Sequence, residues 1–321
     1  MFPFRNVLFP TDFSEHAHAA LKYAAAFARE GAGRVVLFSV QEGSVPANLL
    51  TLPARVLDEP DSEWLKNLRR DVEAVLADPL LAGLEVETRL AEGDPAREIA
   101  DAGRALNVDL ITVATHGRGR LSHALFGSTA EEIVTESPCP VLVVRPPQHD
   151  FVAHRDSRTE IRLNRVLLAT NFRPSSEPAS HLAAEIAREA SAEFHSLYVV
   201  GDFMEQLADL FPESGSRART DLREYVGARM EAFAREAGGG CVTHVAEGKP
   251  YEEIVRLATH EDVDLVVMGT STHAPLFGGS PALGVEIERV IRNAPCPVLC
   301  VPSGRVVTPN AVRVAEPVPL T

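Results

Sequence analysis

The sequence predicts an α/β fold made of two tandem units, each a mostly parallel sheet with helices on both faces. Three observations carry that reading: the length of the chain, an internal duplication, and the alternation of strand-like and helix-like segments within each copy. At 321 residues the chain exceeds one ordinary domain, and two is the natural division. Four blocks recur in the same order. Arg5–Phe13 returns as Asn164–Phe172, and Ala91–Pro95 with Glu98-Ile99 as Ala246–Pro250 with Glu253-Ile254. Val108–Ile111 returns as Val263–Val266, and Ser137–Leu142 as Ala294–Leu299, with every offset between 155 and 159 residues. Order and near-constant offset together make this a duplication.

In the first copy, Val7–Pro10 reads as a short buried strand. Ser14 to Arg29 follows, rich in alanine, with apolar residues at helical spacing (Ala17, Leu21, Ala24, Ala25, Ala28). Ser14 suits the N-cap and Glu15 the positive first turn. Arg34–Val40 is a second strand and Ser62–Ala77 a second helix. Leu84–Leu90 alternates apolar and polar residues, which predicts a strand with a more exposed face. Pro95 opens a helix running to about Leu106, because its missing N–H costs nothing in a first turn. Asp109–Thr115 and Val141–Arg145 are the fourth and fifth strands, with a helix from about Ser128 to Glu136 between them. This alternation gives right-handed crossovers in a parallel sheet. The expected organisation is a first domain over 1–147, a polar linker over 148–162, a second domain over 163–303 and an aperiodic tail over 304–321.

Composition bounds the function. Hydrophobic residues make up 45% and charged residues 24%, as in a folded globular protein rather than a disordered one. A net charge of −14 argues against a general nucleic-acid or membrane-surface binder, while leaving room for a local anion pocket. The apolar runs are too short to span a bilayer and the N-terminal residues do not read as a secretion signal, so a cytoplasmic location is expected. Cys139, Cys241, Cys296 and Cys300 lack metal-knuckle spacing. Cys296 and Cys300, four strand steps apart, are too distant for a disulfide, and reduced thiols are expected.

In an open α/β sheet, ligands bind beyond the carboxyl ends of the strands, where strand order reverses. Pro10-Thr11-Asp12 follows the first strand. Thr115-His116-Gly117-Arg118-Gly119-Arg120 follows the fourth and leads to Phe126-Gly127-Ser128-Thr129 at the start of a helix. Gly117 frees the turn. Gly127 and Ser128 bring backbone N–H groups and a hydroxyl to a helix N-terminus, whose partial positive charge favours phosphate. Arg118 and Arg120 add cations. A glycine turn with a Ser/Thr cap fits the same residues, so the pattern alone leaves both readings open.

With the duplication and this spacing together, the chain resembles the universal stress protein family, in a tandem form carrying two domains. The family's nucleotide signature is Gly, two residues, Gly, nine residues, then Gly followed by Ser or Thr. The first copy reads Ala114, Thr115-His116, Gly117, Arg118 to Phe126, Gly127, Ser128, and departs only at the first glycine. The resemblance implies flavodoxin-like, adenine-nucleotide α-hydrolase-like domains, each a five-stranded sheet of order 3-2-1-4-5. It also implies ATP or ADP, with Mg2+, at the switch point between the first and fourth strands. By position, Asp12 is implied to bond the adenosine part beside Pro10 and Thr11. Val40 is implied to meet adenine through its backbone, and Val113 and Ala114 to line base and sugar. Gly117, Gly127, Ser128 and Thr129 are implied to hold the phosphates, with Arg118 on the loop beside them. The family further pairs fifth strands edge to edge, so Val141–Arg145 is implied to meet Val298–Pro302 within this one chain. A homodimer of such chains is a further possibility.

The second copy departs further. Asn171 replaces the aspartate, Thr272 the second glycine and Val285 the serine, while Gly269 keeps the first glycine. Gly269 and Gly284 stand 15 positions apart, and Pro275 and Pro281 interrupt the loop. A degenerate site is expected, since proline has no N–H to give and valine no hydroxyl. Gly278-Gly279-Ser280 offers a weaker anion nest. The histidines show no metal-binding spacing, Gly248-Lys249-Pro250 is not a phosphate-binding loop, and Trp64 reads as a packing anchor after a long loop. The expectation is a cytoplasmic stress-response protein that binds ATP or ADP in its N-terminal domain as a sensor or regulator, without dedicated catalysis. Two alternatives are a nucleotide-free scaffold or small-ligand carrier, and a slow ATPase or autophosphorylating switch with Ser128 or Thr129 as acceptor.

Overall fold

The computed structural model describes residues 2–41, 63–115, 127–145, 149–155, 158–201, 212–237, 240–270 and 283–304. The first repeat comprises β1 (Asn6–Pro10), α1 (Glu15–Glu30), β2 (Arg34–Gln41), α2 (Glu63–Leu76), β3 (Glu85–Glu92), α3 (Pro95–Ala105), β4 (Leu110–Ala114), α4 (Ser128–Glu136) and β5 (Val141–Val144). A hairpin follows, β6 (Val152–Arg155) and β7 (Arg158–Ile161). The second repeat comprises β8 (Arg165–Ala169), α5 (Glu177–Ala190), β9 (Glu193–Val200), α6 (Pro212–Glu236), β10 (Cys241–Glu247), α7 (Pro250–His260), β11 (Leu265–Thr270), α8 (Val285–Asn293) and β12 (Val298–Pro302).

The helix starts follow from local chemistry. The Ser14 hydroxyl accepts from the Ala17 N–H at 3.1 Å, and the Asp94 carboxylate from the Arg97 N–H at 3.0 Å, ahead of Pro95. The Val-Asp block that recurs in the sequence also has a mechanical role. Asp109 Oδ2 accepts from the Asn6 N–H at 2.9 Å, and Asp264 Oδ2 from the Arg165 N–H at the same distance. Each aspartate thus ties the start of its fourth strand to the start of its first.

Ten strands form one sheet of order β10-β9-β8-β11-β12-β5-β4-β1-β2-β3. Within each repeat this is the order 3-2-1-4-5, all parallel. The repeats join through the one antiparallel pairing of the sheet, β12 with β5, in the register Val298↔Val143, Leu299↔Leu142 and Cys300↔Val141. An apolar edge strand is an aggregation hazard, and each of these two covers the other. Two cores result. One lies under α1, α2, α5 and α6 and holds Phe9, Tyr23, Phe27, Val144, Leu182 and Leu299. The other lies under α3, α4, α7 and α8 and holds Leu8, Ile111, Val143, Ile254, Val290 and Cys300.

The connecting segment contributes to the first core. Phe151 is 1% exposed and joins Leu142, Val144, Leu299 and Val301 from the two central strands. The hairpin therefore closes the middle of the sheet on the face where α1 and α5 leave it uncovered. All four cysteines are free, and burial pushes the Cys300 thiol up to about 12.

Candidate functional site

The strand order reverses between β1 and β4, so the carboxyl ends of these strands border a crevice. At the end of β1, Thr11 is buried and donates its N–H to Phe38 O at 2.8 Å. Its hydroxyl oxygen accepts from the Phe13 N–H at 2.9 Å, across a turn in which Phe13 takes φ 61°. That turn throws the chain off the strand and into α1, leaving the half-buried Asp12 at the rim, where Oδ1 accepts from the Ser14 N–H at 3.0 Å. Pro10 ends β1 opposite Phe38, Val40 lies near the end of β2, and Val113 and Ala114 end β4.

Beyond β4, Thr115 O accepts from the Gly127 N–H at 2.9 Å, which brings the start of α4 back to the end of the strand. Gly127 is the N-cap and has no side-chain cap bond, and Ser128 and Thr129 are exposed. A Cβ on Gly127 would stand 3.1 Å from Thr115 O, so glycine permits this return. The start of α4 thus presents N–H groups and two hydroxyls without an acidic cap, as an anion site requires. The described members of the expected set, Pro10, Thr11, Asp12, Val40, Val113, Ala114, Gly127, Ser128 and Thr129, all lie at this edge of the sheet. Gly117 and Arg118 lie outside the described residues, as do Thr272, Pro275, Gly278, Gly279, Ser280 and Pro281 of the second copy.

The second repeat builds the same turn with different contacts around it. Thr170 Oγ1 accepts from the Phe172 N–H at 3.2 Å, with Phe172 at φ 54°. Asn171 Oδ1, however, is engaged by both the Arg173 N–H (3.1 Å) and the Ser176 hydroxyl (2.6 Å). Phe172 stacks on Tyr198 at 5.5 Å, with the Arg229 guanidinium 5.2 Å from the Phe172 ring. Gly269 keeps the signature glycine, yet a Cβ there would lie 2.9 Å from Ser175 O and 3.0 Å from Ser176 Cα. The absent side chain is used for contact with the chain's own backbone. At the start of α8, Glu286 stands where the first repeat has Thr129, and its carboxylate accepts from the Tyr251 N–H at 2.8 Å. That carboxylate is thereby bonded to the start of α7, and Gly284, the N-cap of α8, has no side-chain cap bond.

Glu286, Tyr198 and Arg229 were not among the residues singled out from sequence. Glu286 was legible there, being one residue beyond Val285 in the same aligned block. Tyr198 and Arg229 come from β9 and α6, which no motif marks.

A profile of the universal stress protein family matches residues 3–145 and again 162–302. The chain belongs to the universal stress protein family. A universal stress protein of Mycolicibacterium smegmatis is 26% identical over 305 residues, covering 92% of this chain and 96% of its own. Universal stress protein MJ0531 of Methanocaldococcus jannaschii is 31% identical over 152 residues, covering 46% of this chain and 85% of its own. Among solved structures, a universal stress protein from Archaeoglobus fulgidus aligns at TM-score 0.61 and 22% identity, covering 93% of this chain and 98% of that one. This last likeness bears on fold alone. The tandem arrangement of two family domains agrees with the ten-stranded sheet. Among the described residues no helix is long and apolar enough to cross a membrane, and no group of His, Cys, Asp and Glu is placed to hold a metal ion.

Proposed function

We propose that this universal stress protein binds one adenine nucleotide, ATP or ADP, in the crevice of a first domain over 1–147, and acts as a cytoplasmic nucleotide-dependent sensor or regulator. The observation that carries this reading is the contrast between two equivalent helix starts. Gly127-Ser128-Thr129 places two exposed hydroxyls at the N-terminus of α4, whereas Gly284-Val285-Glu286 offers no hydroxyl and bonds its carboxylate to the start of α7. Asp12, Thr11, Val113 and Ala114 would receive the nucleoside part, and Ser128 and Thr129 with the backbone at Gly127 the phosphates. Mg2+ would enter on the phosphates, because the described residues offer it no carboxylate cluster. The second domain, over 163–303, serves as a structural partner with a closed crevice.

Native mass spectrometry after incubation with ATP and Mg2+ tests this. The expected spectrum shows one noncovalent nucleotide per chain. A bare chain at saturating ATP moves the reading to a nucleotide-free carrier. A mass increment that survives denaturation moves it to an autophosphorylating switch.

A further inference from the structure

His195 on β9 replaces Val36 of the first repeat, and its side chain is 3% exposed. Its Nδ1 lies 3.0 Å from Nε2 of His244 on the edge strand β10, and the two rings are parallel within 8° at 5.2 Å. The other ring nitrogen, His195 Nε2, has no hydrogen-bond partner and lies 3.6 Å from Glu193 Oε2. Glu193 in turn holds Arg165 of β8 at 3.1 Å. From α7 and the turn after it, Glu261 faces both histidines and pairs with His260 Nδ1 at 3.0 Å. Two imidazoles on adjacent strands are thus joined by one shared hydrogen bond, between two carboxylates, at the end of the sheet opposite the nucleotide crevice.

We propose that the His195–His244 bridge is an acid-sensitive latch that fastens the edge strand β10 to β9. Glu193 favours a proton on His195 Nε2, so His195 Nδ1 is the acceptor and His244 Nε2–H the donor. A first added proton goes to His244 Nδ1 and leaves the bridge intact, with Glu261 facing the charge. A second must go to His195 Nδ1, where it removes the acceptor and places two like charges on stacked rings. The bridge therefore opens only when that second proton is in place. Burial and the neighbouring His195 hold His244 below the ordinary histidine value, although Glu261 opposes them. A histidine held low is stabilising while neutral, and that contribution is lost as pH falls below the unfolded value of about 6.5. Glu247, at the end of β10, pairs with Arg223 of α6, and α6 also carries the Arg229 that covers Phe172. Release of β10 therefore loosens the cover of the second crevice.

Hydrogen exchange of the full chain, corrected for intrinsic rates between pH 7.5 and 5.0, tests the latch. Protection of β10 amides is expected to fall by up to about tenfold per pH unit for each proton taken up, while β3, the opposite edge, does not follow. His195→Val, which installs the first repeat's residue, is expected to abolish the step. A step that persists in this variant, or is absent from the unaltered chain, overturns the proposal. Should the variant fail to fold, nitrogen-detected titration of the two imidazoles in the unaltered chain decides. Titration of His244 below the ordinary histidine value supports the latch, and titration at that value overturns it.

Discussion

The ring of Tyr23 meets that of Phe151 edge-on, with centroids 4.9 Å apart and planes at 67°. Phe151 also packs on Phe27 at 6.0 Å, and Asp150 Oδ1 accepts from the Tyr23 hydroxyl at 2.9 Å. A segment that connects the two repeats in sequence thereby becomes part of the core that joins them in space. It fills a gap that the helices leave over β5 and β12.

Phe151→Ala is expected to be costly for that reason. Large-to-small changes at fully buried aromatics destabilise by about 3–5 kcal/mol, through lost transfer energy and a residual cavity. Urea unfolding should show a lower midpoint. A change below about 1 kcal/mol would mean that the segment rests on the sheet without filling it.

Glu131 on α4 stands in the field of Glu288 on α8, its equivalent in the second repeat. Burial raises the Glu131 carboxyl above its ordinary value, Glu288 adds to the rise, Arg292 opposes it, and Glu132 adds slightly. An acid raised in the folded state favours folding while protonated, and that advantage disappears as pH rises through the folded value. Glu131→Gln should therefore be more stable than the parent at pH 7 and nearly equal to it at pH 4. Urea midpoints at the two pH values check the sign.

Gly269→Ala should destabilise the second repeat, because its Cβ would crowd Ser175 O and Ser176 Cα. Overpacking of this kind costs about 1–3 kcal/mol. Nucleotide binding should be unaffected, since this glycine serves the chain's own backbone. A loss of affinity with unchanged thermal stability would contradict that assignment.

Thr129→Glu places in the first repeat the carboxylate that Glu286 supplies in the second. The residue is exposed, so the fold should tolerate the change. Affinity for ATP is expected to fall by about tenfold or more, from a negative charge added to the first turn of the helix proposed to hold the phosphates. Equilibrium dialysis reads this directly, and undiminished affinity would place the phosphates elsewhere.

The fold was legible because each repeated block has a mechanical role. The Val-Asp block reappears as the paired clamps of Asp109 and Asp264 on the first strands. Ser14 and Asp94 mark helix starts by their own hydrogen bonds, and the sheet order follows once the family resemblance is seen. The hairpin was not legible, because its polar residues give no periodicity although Phe151, Val152 and Thr159 are buried. The contacts around the second crevice were visible only in part. Asn171 and Val285 mark departures from the signature, but the hold of Ser176 on Asn171 and of Tyr198 on Phe172 depends on contacts between separate elements. Gly269 even pointed the other way, since a kept signature residue can serve packing. The His195–His244 bridge left no sequence signal, because its partners are 49 residues apart on neighbouring strands.

Calorimetric titration of ligand-stripped protein with ATP and Mg2+ tests the central assignment most directly. The proposed open first crevice and closed second crevice predict a stoichiometry of about one nucleotide per chain, with binding lost when Gly127 is exchanged for a bulky residue. A stoichiometry of two would contradict the closed second crevice, and the absence of heat at several temperatures would contradict the nucleotide site itself.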